Sequence, residues 1–455
     1  MGVDPAFRDI VGTANVLDDP ELTRRYVVDW TGRFGPVDRD AQHPYPQVVR
    51  PGSKEESSAV VALCRAKGIG VVPQGGNTGL VGGSVPFDGE IVLSLERMTE
   101  IEDVNTVAGQ VTAQAGAPLA AVQTAAREAG WEYGVDISAR DSATIGGNVA
   151  TNAGGLKVVR YGDTRHQLVG VEFVSGTGDV VSALSGTLRD NTGYHLPSLL
   201  CGSEGTLGVV TRVCVRLVPL MPERATALLR FADERAACLA AESLRRLLPT
   251  VESVELFFEG GVELVCEAFG IAPPFDDLSG GYVLVEAADV SDPTAQLAAA
   301  VESLTGVSDV AVANDSARRA ALWQHRDRHT EAISRHGIPH KLDVAVPPGS
   351  LAAFISEVRP VVERVAPGAR VINFGHAGEA AVHVNVLGPA PDDYAVDDAV
   401  LALVAHHGGS ISAEHGIGRA KVRWLNQPAE EQRLRRGIKS AFDPDGIMNP
   451  GVLVP

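Results

Sequence analysis

The chain has 455 residues, 45% of them hydrophobic and 21% charged, which is typical of globular proteins and excludes a disordered or fibrous class. This length predicts at least two packed domains. The formal net charge of −18 at pH 7 repels polyanions, so we expect neither nucleic acid nor an anionic membrane surface as a partner.

The first predicted elements form a strand–helix–strand unit that ends in a glycine-rich segment. Residues 48–49 are predicted as a strand, and Ser53-x-x-Glu56 is a capping-box pattern that predicts the start of a helix. Residues 69–72 form a short apolar strand, and segment 73–83 then has five glycines in eleven residues. This composition predicts a loop that allows close backbone approach to a ligand.

Two further glycine-rich segments, 145–155 and 202–208, are also predicted as loops. A strand-like run, 169–175, lies between them. The third segment leads into the apolar run 209–217 and then to two prolines, where we place the first domain boundary.

The rest of the chain alternates apolar strands with helices rich in Ala and Leu. Residues 282–286 are an example of such a strand and 294–304 of such a helix, and this alternation predicts an α+β second domain. Near the end, 430–442 is predicted as a helix and 443–446 as a turn.

The three glycine-rich segments point to the same kind of ligand for the same physical reason. Glycine lets backbone N–H groups converge on phosphate oxygens, and Asn or Thr adds polar contacts, so the three together indicate a cofactor with a diphosphate. Any one of them alone is more simply explained as a tight turn. None follows the Gly-x-Gly-x-x-Gly fingerprint or the Gly-x-x-x-x-Gly-Lys-Ser/Thr loop, which argues against a nicotinamide site and against nucleoside triphosphate hydrolysis.

Two histidines and an acidic residue in the second half suit a metal. His383 and Asn385 are two apart in a predicted strand and therefore lie on one face. His376, His383 and Glu414 form a candidate three-ligand site for zinc or another first-row metal, with an open position for substrate. The alternative is a pair of structural histidines and a carboxylate at a helix N-terminus.

His415 follows Glu414 directly and precedes two glycines, Gly416 and Gly418. An imidazole titrates near neutral pH, so His415 is the candidate general base. The alternative is a supporting or purely structural histidine.

A group of basic residues offers local attraction for a small anion. Segment 323–330 is predicted as a helix, with Arg326 and Thr330 four apart on one face, and Lys341 follows in a predicted strand. Arg binds a carboxylate bidentately and Lys adds a point charge. Surface salt bridging is the alternative for Arg328, and it stays open for Arg326 and Lys341.

The five cysteines are widely spaced and include no Cys-x-x-Cys pair, so we expect reduced structural thiols. Residues 1–19 lack the apolar core of a signal peptide, and no apolar run has the length of a membrane span. These features lead us to expect a cytoplasmic location.

Together these motifs resemble the vanillyl-alcohol-oxidase/p-cresol-methylhydroxylase (PCMH) flavoprotein superfamily. Its FAD-binding segments are similar to the three glycine-rich segments and to Asn449-Pro450-Gly451. The second half resembles the D-2-hydroxyglutarate and D-lactate dehydrogenase group, through Gly375-His376-Ala377-Gly378, His383-Val384-Asn385 and Ser412-Ala413-Glu414-His415-Gly416-Ile417-Gly418.

The resemblance implies an α+β architecture with a two-part FAD-binding domain of the PCMH type. Residues 1–222 are expected to form this domain, and 411–455 to return to it. Residues 223–410 are expected to form a substrate (cap) domain built on an antiparallel sheet with helices.

The resemblance also implies noncovalent FAD, because Asn77 and Thr78 stand where covalent members often carry a flavin-linked His. Val452 stands where the family often has a Lys, and Gly378-Glu379-Ala380-Ala381 replaces the usual Gly-Asp-Gly-Asn turn. The implied cofactor contacts are Pro73, Gly75, Gly76, Asn77, Thr78, Gly79, Gly82, Ser138, Gly146, Gly147, Asn148, Thr151, Asn152, Gly154, Gly155, Glu204, Gly205, Gly208, Val209 and Asn449.

The implied enzyme oxidises a D-2-hydroxy acid, D-2-hydroxyglutarate ahead of D-lactate, by hydride transfer to flavin N5 with metal-assisted deprotonation of the 2-hydroxyl. The metal is zinc or manganese, at His376, His383 and Glu414, and the base is His415. Substrate binding is expected from Arg326, Thr330, Lys341 and Asn385.

An external electron acceptor is implied, such as electron-transfer flavoprotein, a quinone or a cytochrome, and a homodimer is possible. Two alternatives use the same scaffold. One is a non-redox transferase resembling alkyl-dihydroxyacetonephosphate synthase, to which His406-His407 has a weak similarity. The other is an FAD-binding electron-transfer subunit without a substrate site of its own.

Overall fold

The computed structural model describes residues 5–34, 46–87 and 89–454, so the first four residues of the segment searched for a signal peptide lie outside it. The chain divides into two compact units. Unit 1 comprises Met1–Ala153, Asp163–Pro219 and His415–Pro455, and unit 2 comprises Gly154–Gly162 and Leu220–Glu414. The domain limits predicted at 222/223 and 410/411 stay predictions.

The strands of unit 1 are β1 (Val16–Leu17), β2 (Val48–Val49), β3 (Val71–Gln74), β4 (Ile91–Ser94), β5 (Gln110–Gln114), β6 (Trp131–Glu132), β7 (Leu168–Val174), β8 (Val180–Ala183), β9 (Val209–Arg216) and β10 (Val218–Pro219). One sheet has the order β1-β2-β4-β3, with β4 parallel to both β2 and β3. A second, antiparallel sheet has the order β5-β9-β7-β8, and β6 pairs with β10.

The α-helices up to residue 200 are α1 (Pro5–Val11), α2 (Pro20–Thr23), α3 (Lys54–Lys67), α4 (Leu119–Glu128), α5 (Ile145–Thr151), α6 (Val158–Tyr161), α7 (Thr164–Gln167) and α8 (Leu196–Leu200), of which α6 belongs to unit 2. The predicted capping pattern is confirmed at α3. Ser53 Oγ accepts from Glu56 N at 3.1 Å, while the Glu56 carboxylate accepts from Gly52 N at 2.7 Å.

The expectation that residues 145–155 form a loop is wrong for their first part, because 145–151 are helix α5. Thr144 Oγ1 accepts from Gly147 N at 3.3 Å and caps the helix, which overcomes the low helix propensity of the glycines. The helix ends at Asn152, whose φ of 53° is left-handed.

Unit 2 is built on a seven-stranded antiparallel sheet. Its strands are β11 (Glu223–Phe231), β12 (Val251–Phe258), β13 (Gly281–Asp289), β14 (Val307–Ala313), β15 (His340–Ala345), β16 (Arg370–His376) and β17 (Ala381–Leu387). Their order is β14-β11-β13-β12-β16-β17-β15. The expected antiparallel sheet of the cap domain is therefore confirmed, and the predicted strand at 282–286 lies within β13.

The remaining helices are α9 (Glu234–Leu247), α10 (Glu259–Phe269), α11 (Thr294–Glu302), α12 (Ser316–Asp327), α13 (His329–Ser334), α14 (Leu351–Val365), α15 (Ala395–His406) and α16 (Ala429–Phe442), of which α16 belongs to unit 1. The single helix predicted over 323–330 is wrong, because the backbone breaks at Arg328 between α12 and α13.

Each unit has its own apolar core. In unit 2, every residue of β12 and β17 is buried, and α9 and α10 pack on β12. The hydrogen bonds of the sheet satisfy the backbone groups of these buried strands. All five cysteines are unbonded thiols, as expected. Within the described residues, no helix combines the length and apolarity needed to cross a membrane.

The C-terminal segment returns to the first sheet of unit 1. Val71 N in β3 donates to Ile447 O at 2.8 Å, and Asn449 N donates to Val71 O at 2.8 Å. Lys439 Nζ, in the last turn of α16, donates to the carbonyl groups of Thr206 and Met448, each at 2.7 Å. Residues from the first and the last stretch of unit 1 thus lie together at the edge of one sheet.

Candidate active site

The first glycine-rich segment needs glycine where it meets the residues just before the second one. A Cβ at Gly76 would overlap the carbonyl oxygen of Ser142, and a Cβ at Gly75 would overlap Thr144 Oγ1. Gly79 differs, because among the described residues only Ser84 Oγ, at 3.7 Å, would lie within 4 Å of its Cβ. The open side of Gly79 fits the close approach of a cofactor phosphate.

Asn77 shapes the same loop through its side chain. Its φ of 52° lies in the left-handed region that Asn tolerates better than most residues. Asn77 Nδ2 donates to the carbonyl groups of Arg25 and Val28 at 3.0 and 2.9 Å, and Asn77 Oδ1 accepts from Ser84 Oγ at 2.8 Å. The side chain is therefore bound to protein, and cofactor contact through the Asn77 backbone stays a prediction.

Glu204 and Asn449 connect three of the implied flavin-binding segments with the loop that follows His415. Asn449 Nδ2 donates to Gly83 O at 2.7 Å and to Glu204 O at 2.6 Å. The Glu204 carboxylate accepts from Ile417 N at 2.8 Å and from Gly418 N at 2.6 Å. Burial raises the pKa of Glu204, although the two backbone N–H groups act in the opposite direction.

The other implied flavin contacts occupy varied places. Ser138 is exposed in a turn, whereas a Cβ at Gly146 would overlap Ala115 and one at Gly208 would overlap Val174 O. Glycines 154 and 155 lie in unit 2, and the rest belong to unit 1: Pro73, Thr78, Gly82, Gly147, Asn148, Thr151, Asn152, Gly205 and Val209. Their roles as cofactor contacts stay predictions.

Unit 2 brings the three proposed metal ligands together. Glu414 Oε1 lies 3.5 Å from His376 Nε2 and 3.5 Å from His383 Nε2. The two imidazole rings meet edge to face, with centroids 5.3 Å apart, and both histidines are buried. Two imidazole nitrogens and one carboxylate oxygen form a donor set that suits a divalent first-row metal.

Each of the two imidazoles has a second carboxylate at its other nitrogen. His376 Nδ1 lies 2.8 Å from Glu255 Oε1 on β12, and His383 Nδ1 lies 3.5 Å from Asp343 Oδ1 on β15. Asp343 Oδ2 also accepts from Glu414 N at 2.8 Å. Carboxylates in this position orient metal-ligating histidines and strengthen them as ligands.

The charge around His376 favours a cation. Burial lowers the pKa of His376, but the carboxylates of Glu255 and Glu414 outweigh it and raise the pKa well above its ordinary value. A divalent ion at Nε2 would take the place of this proton against the same carboxylates, so the residues fit a metal.

Arg326 is held on the other side of Glu255. Its Nε and Nη2 lie 2.7 and 2.6 Å from Glu255 Oε2, and its guanidinium lies 4.7 Å from the centre of the Phe374 ring. The surface salt bridge considered for Arg326 is wrong, because the residue is only 6% exposed. Arg328 instead stacks on Phe269, at 4.4 Å from the ring centre.

Lys341 and Asn385 face each other across the β15–β17 pair. Burial lowers the pKa of Lys341 to about 8, although the carboxylates of Asp343 and Glu414 act in the opposite direction. Asn385 Nδ2 donates to the carbonyl groups of Ile372 and His383, at 3.3 and 3.2 Å. Thr330 lies half-buried in α13, and the substrate roles of these residues stay predictions.

His415 is the first residue of the last stretch of unit 1. Its loop is irregular rather than helical, so the alternative of a helix N-terminus at Glu414 is wrong. Gly416 and Gly418 have φ values of 85° and 51°, which favour glycine.

Two family descriptions match the chain: an FAD binding domain over residues 45–184, and the C-terminal domain of FAD linked oxidases over residues 220–453. The chain belongs to the FAD-linked oxidase family. This FAD-linked oxidase is 39% identical to the D-2-hydroxyglutarate dehydrogenase of Xanthomonas citri pv. viticola, with 98% of the chain and 96% of the relative covered. It is 35% identical to the mitochondrial D-2-hydroxyglutarate dehydrogenase of Bos taurus, with 99% and 83% covered.

Solved structures agree on the fold. p-Cresol methylhydroxylase matches with a TM-score of 0.77 at 16% identity, covering 98% of this chain and 95% of that one. Alkyldihydroxyacetonephosphate synthase matches with a TM-score of 0.74 at 17% identity, covering 99% and 86%. The PCMH-type fold and the resemblance to this superfamily are confirmed, and the FAD-linked oxidase is an FAD-dependent oxidoreductase.

Sequence reasoning missed Glu255 and Asp343 in this FAD-linked oxidase. Both stand in largely buried strands, and both are completely buried. A charged residue in a buried strand is costly unless it is paired, so its presence there was the available signal. The partner in each case comes from a neighbouring strand and is not visible from spacing along the chain.

Proposed function

We propose that this member of the FAD-linked oxidase family is a D-2-hydroxy-acid dehydrogenase that converts D-2-hydroxyglutarate, ahead of D-lactate, to the 2-oxo acid. The observation that carries the proposal is the pair of buried histidines converging on Glu414, each backed by a further carboxylate. The two relatives named above support the choice of substrate.

Different residues of the chain bind the substrate and accept its proton. Arg326 and Lys341 provide positive charge for the substrate carboxylates, and Thr330 and Asn385 add hydrogen-bonding groups. His415 accepts the proton of the 2-hydroxyl as general base. Because Glu255 fixes Arg326, the cation is already oriented before substrate arrives, which reduces the entropy lost on binding.

His376, His383 and Glu414 would hold zinc or manganese, and the glycine-rich segments with Asn449 would hold FAD. When bound, FAD supplies a hydride acceptor at N5, and the metal supplies Lewis-acid polarisation of the hydroxyl. An external acceptor then reoxidises the enzyme, with electron-transfer flavoprotein ahead of a quinone or a cytochrome. A cytoplasmic location and a homodimer complete the proposal.

The transferase alternative uses the same scaffold and has a weak similarity at His406 and His407. His406 is exposed at the end of α15, and the His407 ring packs edge-on against Phe354, with centroids 5.8 Å apart. Neither position offers a clear substrate role, so the dehydrogenase takes precedence. The likeness to alkyldihydroxyacetonephosphate synthase reflects a shared fold.

The test is anaerobic addition of D-2-hydroxyglutarate, L-2-hydroxyglutarate or D-lactate to the isolated protein. The flavin should be bleached by the D-acids without any other protein, whereas a transferase or an electron-transfer subunit would leave it oxidised. His415→Ala should slow flavin reduction by roughly 10²-fold or more, as expected for loss of a general base. His406→Ala, at an exposed histidine, is the control and should keep the parental rate.

A further inference from the structure

We propose that Glu204 is a positioning residue for His415 rather than a contact of the flavin. Its carboxylate binds the backbone of Ile417 and Gly418 and thereby fixes the loop that carries His415. This inference rests on the proposed role of His415 as general base. It replaces the direct cofactor role that the sequence resemblance implies for Glu204.

The geometry uses both carboxylate oxygens. Oε1 accepts from Ile417 N at 2.8 Å, and Oε2 accepts from Gly418 N at 2.6 Å, while Glu204 as a whole is 9% exposed. Hydrogen bonds from backbone N–H groups to an ionised carboxylate are among the stronger ones in proteins. Two such bonds to successive residues restrict both the position and the rotation of the loop.

Close contacts on both sides also restrict the loop that follows His415. A Cβ at Gly416 would lie 2.9 Å from Glu204 Oε1, and a Cβ at Gly418 would overlap the carbonyl oxygen of Val81. Val81 O also accepts from the backbone N of Arg419, at 3.0 Å. The backbone that follows His415 is therefore fixed between Glu204 and the first glycine-rich segment.

The backbone of Glu204 is fixed as firmly as its side chain. Glu204 N donates to Ala150 O at 2.7 Å, and Glu204 O accepts from Asn449 Nδ2 at 2.6 Å. Its φ of 50° is a left-handed conformation that a non-glycine residue adopts at a cost. The hydrogen bonds of Glu204 thus connect the loop that carries His415 to three flavin-binding segments. The proposed base and the proposed cofactor site are therefore held by the same part of unit 1.

Only a carboxylate satisfies both N–H groups at this place. In Glu204→Gln the size and shape are kept, but the amide NH2 must face one of the two backbone N–H groups. One hydrogen bond is lost and two donors are opposed, inside a buried site where an unmet donor is costly. The substitution therefore loosens the loop without removing any volume.

A matched control exists in the same unit. Glu172 is also a buried carboxylate, and its oxygens accept from Lys54 Nζ at 3.0 Å and Thr211 Oγ1 at 3.1 Å. Glu172→Gln makes the same chemical change and leaves the His415 loop untouched. A general effect of neutralising a buried Glu should appear in both variants.

The experiment measures FAD content, metal content, and the rate of anaerobic flavin reduction by D-2-hydroxyglutarate. Glu204→Gln should bind FAD and metal as the parent does but reduce flavin roughly 10- to 100-fold more slowly, because small misplacements of a catalytic group have effects of this size. Glu172→Gln should keep the parental rate. In a His415→Ala background, Glu204→Gln should add little further loss, since the two changes affect one step.

The outcomes separate this inference from the proposed function. If His415→Ala keeps the parental rate, the base assignment itself fails. If His415→Ala is slow but Glu204→Gln is not, or if the two losses multiply, the positioning role is wrong. Loss of FAD from folded Glu204→Gln would return Glu204 to cofactor binding. Should Glu204→Gln fail to fold, Glu204→Asp keeps two acceptors on a shorter side chain, and slowed reduction with FAD retained supports the role while a parental rate overturns it.

Discussion

Glu255 serves two groups at once, because one oxygen meets His376 and the other meets Arg326. We expect Glu255→Gln to weaken metal binding by roughly 10- to 100-fold, the usual effect of losing the carboxylate behind a metal-ligating histidine. KM for the 2-hydroxy acid should rise as well, since Arg326 loses the group that orients it. FAD content should not change.

Both effects can be tested by measuring the metal affinity, through titration of the metal-free protein, and KM for the 2-hydroxy acid. Glu286→Gln is the control, because Glu286 is a buried carboxylate of the same sheet that pairs with Arg319 at 3.0 Å. Equal metal loss in both variants would show a general effect on unit 2 and would contradict the specific role of Glu255.

Asn77 leads to a second prediction at the residue scale. The segment 73–83 contains no His, Cys or Tyr that could form a bond to the flavin, and Asn77 itself is hydrogen-bonded to the protein. Acid precipitation should therefore leave all the flavin in a yellow supernatant. Flavin that remained with the pellet would contradict noncovalent binding.

Single residues also show what sequence can predict about the site. The identities of His376, His383 and Glu414 came from motifs, and the structure brings them together. The motifs did not predict the supporting carboxylates, Glu255 and Asp343. Spacing along one strand shows only on which face of the sheet a side chain lies, whereas the pairing between strands determines which side chains come into contact. Asn77 and Glu204 were assigned to the cofactor from resemblance, yet their side chains bind protein backbone.

At the scale of elements, a short segment with α6 is tied to the sheet of unit 2 through Glu252. Arg224 Nε lies 2.9 Å from the Glu252 carboxylate, Lys157 Nζ lies 3.6 Å away, and Tyr161 Oη donates at 3.2 Å. Burial raises the pKa of Glu252, but these partners outweigh it and hold the pKa below its ordinary value of 4.5. The segment is thereby attached to β12.

The lowered pKa of Glu252 determines how stability should change with pH. A carboxylate whose pKa is lower in the folded state stabilises the fold above its unfolded pKa, and this stabilisation is lost as pH falls through the folded pKa. Glu252→Gln should therefore lower the thermal midpoint at neutral pH, and the difference from the parent should shrink below about pH 4.5. Thermal melts of both proteins between pH 7 and pH 3 measure it. A difference that stayed constant with pH would contradict the role of the Glu252 charge.

Elements differ in how well local sequence determines them. The capping box of α3 and the strands of unit 2 follow from patterns that act over a few residues. Helix α5 was missed because glycine content suggests a loop, whereas Thr144 and the packing of Gly146 against Ala115 stabilise a helix. The break at Arg328 was missed because the helical spacing of Arg326 and Thr330 continues across it.

At the scale of the molecule, residues 447–449 join the sheet of unit 1 beside β3. Removal of 443–455 should abolish FAD retention, because it deletes Asn449 and the backbone bonds of Ile447 and Asn449 to Val71. Removal of 454–455 alone is the control and should keep the flavin. Flavin absorbance after gel filtration measures both, and a yellow, folded protein lacking 443–455 would contradict the prediction.

The return of residues 447–449 to β3 has a consequence for biosynthesis. Val71 leaves the ribosome well before Ile447 and Asn449, so the sheet edge of unit 1 lacks these partners until the ribosome has made the residues between them. Exposed strand edges invite pairing with other chains. Unit 2, whose sheet is made entirely from residues between Glu223 and Leu387, has all its strands earlier. The nascent chain can thus complete the sheet of unit 2 before the sheet edge of unit 1, and we expect unit 1 to retain FAD only after residues 447–449 have joined it.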